Sequence, residues 1–249
     1  MAATPRNAAV ALVGAGDFIG AAIARRFAAE GYRVFGGRRQ GDRLAALKAW
    51  IEADGGAFEG RSLDARQEEE VAAFMAEADA DQPLEVAIFN VGANVNFPIL
   101  ETTDRVFRKV WEMACQGGFL AGREAARRMV ERGAGSIFFT GATASVRGGV
   151  GYAAFASAKA GLRSVAQSMA RELGPRNIHV AHLVIDAGVD TAFVRERVVA
   201  ARGEAALESL APGTLMDPAS IAEAYCRLHQ QTRDAWTFEL DLRPFAESW

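Results

Sequence analysis

Two stretches carry residues whose types and spacing suit chemistry. In "ALVGAGDFIGAAIARRF", Gly14, Gly16 and Gly20 fall between a short apolar run and a segment with apolar residues every three or four positions. Glycines at a strand-to-helix junction permit a tight turn and let backbone N–H groups meet an anion at the helix N-terminus. Opening a βαβ unit, the cluster points to phosphate binding over a purely structural turn. In "YAAFASAKAG", Lys159 follows Phe155 by four residues, so both lie on one face of a helix. An ammonium there can donate hydrogen bonds to hydroxyl oxygens, whereas a phenyl ring offers neither a proton nor an acceptor.

Such residues need a scaffold that brings them together. Strand-length apolar runs at Ala8–Val13, Arg33–Gly36, Ala57–Ser62, Glu85–Asn90, Ser136–Thr140, His179–Val184 and Trp236–Asp241 alternate with helix-period segments. The alternation predicts an α/β fold, a doubly wound parallel sheet of about seven strands with helices on both faces. The 249 residues, half of them hydrophobic, suit one domain over 1–249, with two small domains as the alternative. The least regular part, 187–218, follows the sixth strand, a place where lids over a ligand crevice form.

Lys and Arg total 28 against 31 Asp and Glu, a net charge of -3, so no single-sign field argues for nucleic acid or an acidic membrane. Cys115 and Cys226 form no CxxC and have no metal spacing to the three histidines, which suits a reducing cytoplasm and no metal. "MAATPRNAAVALVG" lacks the parts of a signal peptide, and no run reaches the roughly 18 apolar residues that span a bilayer. A soluble cytoplasmic protein without a membrane partner is expected.

Along nearly its whole length the chain resembles the short-chain dehydrogenases/reductases. Gly14-x-x-x-Phe18-x-Gly20 is similar to their TGxxxGxG turn, with Val13 for Thr and Phe18 for the middle glycine. "FNVGA" resembles the NNAG turn after the fourth strand, and "RSLDAR" the end of strand three, where an Asp caps the adenine. "VIDAGVDT" resembles the PGxxxT segment that meets the nicotinamide carboxamide, with Ala187 where Pro is usual. The resemblance implies a Rossmann-like fold and oxidoreduction by hydride transfer between a nicotinamide cofactor and a small carbonyl or alcohol. It implies cofactor contacts from Gly14, Gly16, Phe18, Ile19 and Gly20, from Leu63 and Asp64, from Asn90, Val91 and Gly92, and from Val189 and Thr191.

Phe18 either narrows or covers the approach to the pyrophosphate or turns into first-helix packing, where burial gains roughly 1.5–3 kcal/mol. In "RVFGGRR", Gly37 stands where an NAD-preferring protein places a carboxylate against the ribose 2′-hydroxyl, and Arg38 and Arg39 follow. A guanidinium can grip a 2′-phosphate bidentately, which favours NADP(H) over NAD(H). The alternative is that either arginine only decorates a surface turn.

In the family a YxxxK pair, a Ser thirteen residues before the Tyr and an Asn on the preceding long helix act at one carbonyl oxygen. By the resemblance Lys159 is the Lys that holds the nicotinamide ribose, while Phe155, Ala142 and Ala114 stand for the Tyr, Ser and Asn. Losing a general acid costs roughly two to four orders of magnitude, and losing an oxyanion donor roughly two to three. The family's own route should be close to absent. What remains is either a rerouted reaction or a non-catalytic dinucleotide- or partner-binding protein. Tyr152, Thr140, Thr143 and Ser145 are hydroxyls near enough in sequence to substitute, though capping, turn or subunit-contact roles are the simpler reading.

His179 and His182 read as satisfied core or crevice residues, His229 as a helix-end residue, and Trp111 and Met113 as part of the long helix's apolar stripe. In the tail "TFELDLRPFAESW", exposed Phe245 and Trp249 would suit a homo-oligomer, a dimer or tetramer as in the family.

Overall fold

A computed structural model of the chain describes residues 4–247. Seven strands form one parallel sheet: β1 (Ala9–Val13), β2 (Arg33–Arg38), β3 (Ala57–Ser62), β4 (Leu84–Phe89), β5 (Gly135–Thr140), β6 (Ile178–Ile185) and β7 (Glu239–Leu242). Their spatial order is β3-β2-β1-β4-β5-β6-β7. Helices α1 (Ile19–Ala29), α2 (Ala45–Ala53) and α9 (Pro218–His229) pack on one face. Helices α3 (Glu68–Asp81), α5 (Gly117–Arg132) and α6 (Ala153–Leu173) pack on the other.

The strand periodicity explains the two layers. All five residues of β1 are buried; Val10 and Leu12 belong to one core cluster with Ile23, Phe27 and Ile221, whereas Ala9, Ala11 and Val13 belong to the other with Phe74, Leu120 and Leu162. A central parallel strand therefore reads as an unbroken apolar run, as "AVALV" does. From β1 the order runs outward through β2 and β3 on one side and through β4 to β7 on the other. The loops after β1 and β4 part at that switch point and leave a crevice at the carboxyl edge.

Three features differ from the expectations. The last strand starts at Glu239, not Trp236, because Trp236 stacks on His179 (centroids 5.0 Å apart, planes at 1°) and the Thr237 carbonyl takes the His179 ring nitrogen at 2.9 Å. The segment 187–218 is more regular than its sequence, holding α7 (Ala192–Arg202) and α8 (Glu204–Glu208). A bridge between Val189 and Met216 ties its ends together. The long helix is α4 (Asp104–Trp111), then one π-helical turn (Glu112–Gln116), then α5. A π turn shifts the helical phase, so Trp111 leaves the apolar stripe and is 42% exposed.

His179 and His182 are core residues; burial pushes His182 down to about 4, and its Nδ1 lies 3.2 Å from a Glu239 carboxylate oxygen. His229 closes α9, where its ring bridges Tyr32 and Ser136 at 2.9 Å each. Phe245 is exposed, and Trp249 lies outside the described residues. Among the described residues no helix is long and apolar enough to cross a membrane.

Candidate active site

The crevice at the switch point has a volume of about 510 Å³, and its walls come from the ends of β1 to β4. Gly14 adopts φ +98°, and a Cβ on it would stand 2.8 Å from the Asn90 carbonyl carbon and oxygen. Only glycine suits that turn on both counts. Gly20 lets the first turn of α1 close over Gly14 and Ala15, since a Cβ there would come 2.6 Å from the Gly14 oxygen. Around Gly16 and Gly92 a Cβ would meet no atom within 4 Å, so both border open space in the crevice. No side chain caps the N-terminus of α1; the Ala21 N–H donates to the Gly16 carbonyl at 2.8 Å, and the N–H groups ahead of it in the first turn are left for an anion. Phe18 is the residue before that helix and stays 41% exposed; it does not turn into the helix packing. Ile19 packs at the edge of the core beneath it.

The polar wall residues are held by specific partners. The Arg66 guanidinium beside Asp64, with Nε 2.9 Å from Oδ1, holds that carboxyl below the usual carboxylate range. Asn90 donates from Nδ2 to the Gly14 carbonyl at 3.0 Å and accepts from the Thr140 hydroxyl at 2.9 Å. Thr140 in turn shares a 2.7 Å hydrogen bond with the Tyr225 hydroxyl, a fully buried phenol whose acidity burial suppresses. A buried polar chain thus runs from α9 through β5 to the glycine turn and fixes its shape. Arg38 and Arg39 both line the crevice together with Gly37 and Leu63. Arg38 is ion-paired to Asp17 of the glycine turn, and Arg39 lies on the exposed rim.

Further along, Phe155, Ala142 and Ala114 come together in one apolar cluster with Ala93, Val110, Cys115 and Ala158. The π-helical turn carries Ala114 into it, fully buried, while Phe155 is 7% exposed and Ala142 is half-buried at the cluster's edge. Lys159 is 2% exposed, 6.0 Å from the Phe155 ring centre, and donates to the Thr140 carbonyl at 2.7 Å and the Val91 carbonyl at 3.2 Å. Burial pulls its pKa down to about 8. The lysine braces the loop after β4 against the end of β5 and is not itself in the crevice wall.

Of the hydroxyls near Phe155, each is engaged. Tyr152 accepts from Arg197 of α7 at 3.3 Å, Thr143 donates to Asp186, and Ser145 accepts the Ala142 N–H at 3.1 Å. Val189 and Thr191 lie on the segment leaving β6, where Thr191 caps α7 by accepting the Val194 N–H. Counted back from Thr191, the six-residue pattern begins at Asp186, not Ala187. Asp186 is 1% exposed and meets Thr143, Arg147 and, at 2.6 Å, Arg243. Sequence reading missed Asp186, Tyr225, Asp17 and Arg66. Only Arg66 had a local signal, its spacing of two from Asp64; the other partners are 21 to 85 residues apart.

The sequence profile described as short chain dehydrogenase matches residues 8–200. The chain belongs to the short-chain dehydrogenase family. This short-chain dehydrogenase is similar to one from Rhodopseudomonas palustris of known crystal structure, at 61% identity and a TM-score of 0.83 over 97% of this chain and 100% of that one. It is 30% identical over 217 residues to the 3-oxoacyl-acyl-carrier-protein reductase MabA of Mycobacterium tuberculosis, covering 86% of this chain and 81% of that protein. At 23% identity, an actinorhodin polyketide ketoreductase crystallised with NADPH shares the fold, with a TM-score of 0.87 over 99% of this chain and 100% of that one.

Proposed function

We propose that the protein binds NADP(H) along the switch-point crevice and moves hydride between it and a small carbonyl, alcohol or related compound, without the tyrosine its family uses. One observation carries this reading: the glycine turn, the two arginines and Asp64 line one crevice, whereas Phe155, Ala142 and Ala114 fall together in one apolar cluster. The open space at Gly16 and Gly92 and the uncapped start of α1 fit a dinucleotide's phosphates. The ketoreductase crystallised with NADPH and the relative named as a reductase support the same class.

When bound, the nicotinamide supplies the hydride. The chain's own work is then binding and orientation. N–H groups at the glycine turn and α1 hold the pyrophosphate, Arg38 and Arg39 meet the 2′-phosphate, Asp64 caps the adenine, and Val189 and Thr191 meet the carboxamide. Phe155, Ala142 and Ala114 exclude water from the far side of the pocket and hold no proton, so the proton comes from water on the open side. The 187–218 segment would close over that side as a lid, and Arg197 of its α7 donates a hydrogen bond to the Tyr152 hydroxyl. Self-association belongs to the same reading, supported by Phe245, 79% exposed.

A second reading, a dinucleotide binder without turnover, is favoured by Lys159 being spent on two backbone carbonyls. Calorimetric titration tests the shared part. NADPH should bind the wild type, and Arg38→Ala should weaken NADPH about tenfold or more, the worth of a charge-assisted hydrogen bond, with little change for NADH. Equal losses for both would remove Arg38 from the phosphate site. Turnover of a carbonyl panel by the wild type separates the two readings.

A further inference from the structure

Asp17 sits in the glycine turn between Gly16 and Phe18, 58% exposed at its side chain, and its carboxylate is ion-paired to the Arg38 guanidinium across the rim of the crevice. Arg38 is the more enclosed partner, at 17%. The position that would carry an acidic residue at the end of β2 is a glycine packed against Leu63: a Cβ on Gly37 would stand 2.4 Å from Leu63 Cδ2 and 3.1 Å from Leu63 Cβ, so the leucine side chain would have to shift to admit one. Among the described residues the carboxylate ion-paired to Arg38 comes from the turn, while the Asp64 carboxylate at the end of β3 lies within electrostatic reach of Arg39.

We propose that Asp17 sets the cofactor choice, competing with a 2′-phosphate for Arg38 and offering a ribose 2′-hydroxyl the acceptor that Gly37 cannot provide. The proposal rests on the reading of the crevice as a dinucleotide site. A 2′-phosphate brings about -1.5 to -2 charges at neutral pH. To reach Arg38 it must displace the Asp17 carboxylate or lie next to it, and like charges in contact at a protein surface repel. A 2′-hydroxyl meets no such barrier, because it donates a hydrogen bond and an ionised carboxylate accepts one. Arg39, exposed on the same rim and lining the crevice, stays available to a phosphate in either case. The pair thus narrows the gap between NADPH and NADH that two arginines alone would open.

The test is calorimetry on wild type and Asp17→Asn with four probes: NADPH, NADH, adenosine 2′,5′-bisphosphate and adenosine 5′-monophosphate. The two fragments lack the nicotinamide half, so the nicotinamide pocket does not bear on them, and both carry the same 5′-phosphate at the glycine turn, so any effect of Phe18 is common to the pair. Asp17→Asn keeps the shape of an exposed side chain and removes its charge. It should tighten NADPH and the bisphosphate about fivefold, the size of one like-charge contact near the surface, and leave NADH and the monophosphate equal or weaker. An Arg38→Ala, Asp17→Asn double variant should lose that gain. If the wild type binds the probes and the preference for the 2′-phosphorylated ones is the same in Asp17→Asn, the role assigned to Asp17 is wrong while the crevice reading stands. If the wild type binds none of the four, the crevice reading falls and takes the Asp17 proposal with it.

Discussion

An Ala142→Ser, Phe155→Tyr double variant should oxidise NADPH against simple ketones about a hundredfold to a thousandfold faster, in kcat/KM, than a nearly silent parent. The cluster geometry supports the restoration on physical grounds. Phe155 and Lys159 share a helical face, with Nζ 6.0 Å from the ring centre, so a hydroxyl on that ring would be acidified by a neighbouring ammonium. Ala142 borders the same cluster and is half-buried, leaving a Ser hydroxyl a path to the oxygen it must stabilise. A positioned general acid contributes roughly two to four orders of magnitude and an oxyanion donor roughly two to three. The two act on one oxygen and do not add in full, hence the lower figure. Steady-state loss of NADPH over a ketone panel measures it. A double variant that binds NADPH as the parent does yet gains nothing would show that the tetrad positions have been misassigned. A parent that is already fast would show that the proton finds another route.

Stability should rise with pH from about 7 to 9, and Lys159→Met should remove most of that rise. Burial lowers the Lys159 pKa from 10.5 to about 8 in the folded chain. Below both values the lysine is charged in either state, and the folded state bears the full penalty of a buried ammonium. As pH passes the folded value, the folded chain releases its proton while the unfolded chain keeps one. The unfolded state then binds more protons, so the free energy of unfolding increases with pH. The gain from this one group is about 1.4 kcal/mol between pH 7 and 9. Burial pushes the Cys115 and Cys226 thiols up, which works in the opposite direction once free thiols ionise, near pH 9 and beyond. The difference between wild type and Lys159→Met cancels that contribution. Thermal melts at several pH values give the comparison, and parallel curves for the two proteins would show that Lys159 is not a buried ammonium.

Much of this architecture is legible in the sequence, for reasons that individual residues make plain. The β1 run "AVALV" is wholly buried on both faces, so its hydrophobicity alone marks it as a central strand. Gly14 is equally plain, because a turn with φ +98° pressed against the Asn90 carbonyl admits no side chain. Phe155 and Lys159 share a helical face by their spacing of four, which is readable, whereas the grouping of Phe155, Ala142 and Ala114 is implied by the family resemblance, and it is the π-helical turn that carries Ala114 into the cluster. Partnerships across the fold are a different matter. Asp17 with Arg38, Thr140 with Tyr225 and Asp186 with Arg243 join elements whose closeness only the finished sheet determines. The π-helical turn at Glu112–Gln116 escapes too, since nothing in the apolar period shows one added residue until Trp111 is found facing outward.

The most direct check is a crystal structure of the protein with NADPH and a ketone-like ligand. The dinucleotide should run from the Arg38 and Arg39 rim, past Gly14 and Gly92, with its nicotinamide toward the cluster of Phe155, Ala142 and Ala114. No side-chain hydroxyl should then lie within hydrogen-bond distance of the ligand's carbonyl oxygen. A Tyr152 or Thr143 hydroxyl bonded to that oxygen, or a dinucleotide lying elsewhere, would refute the reading of a retained cofactor site whose proton donors have become carbon.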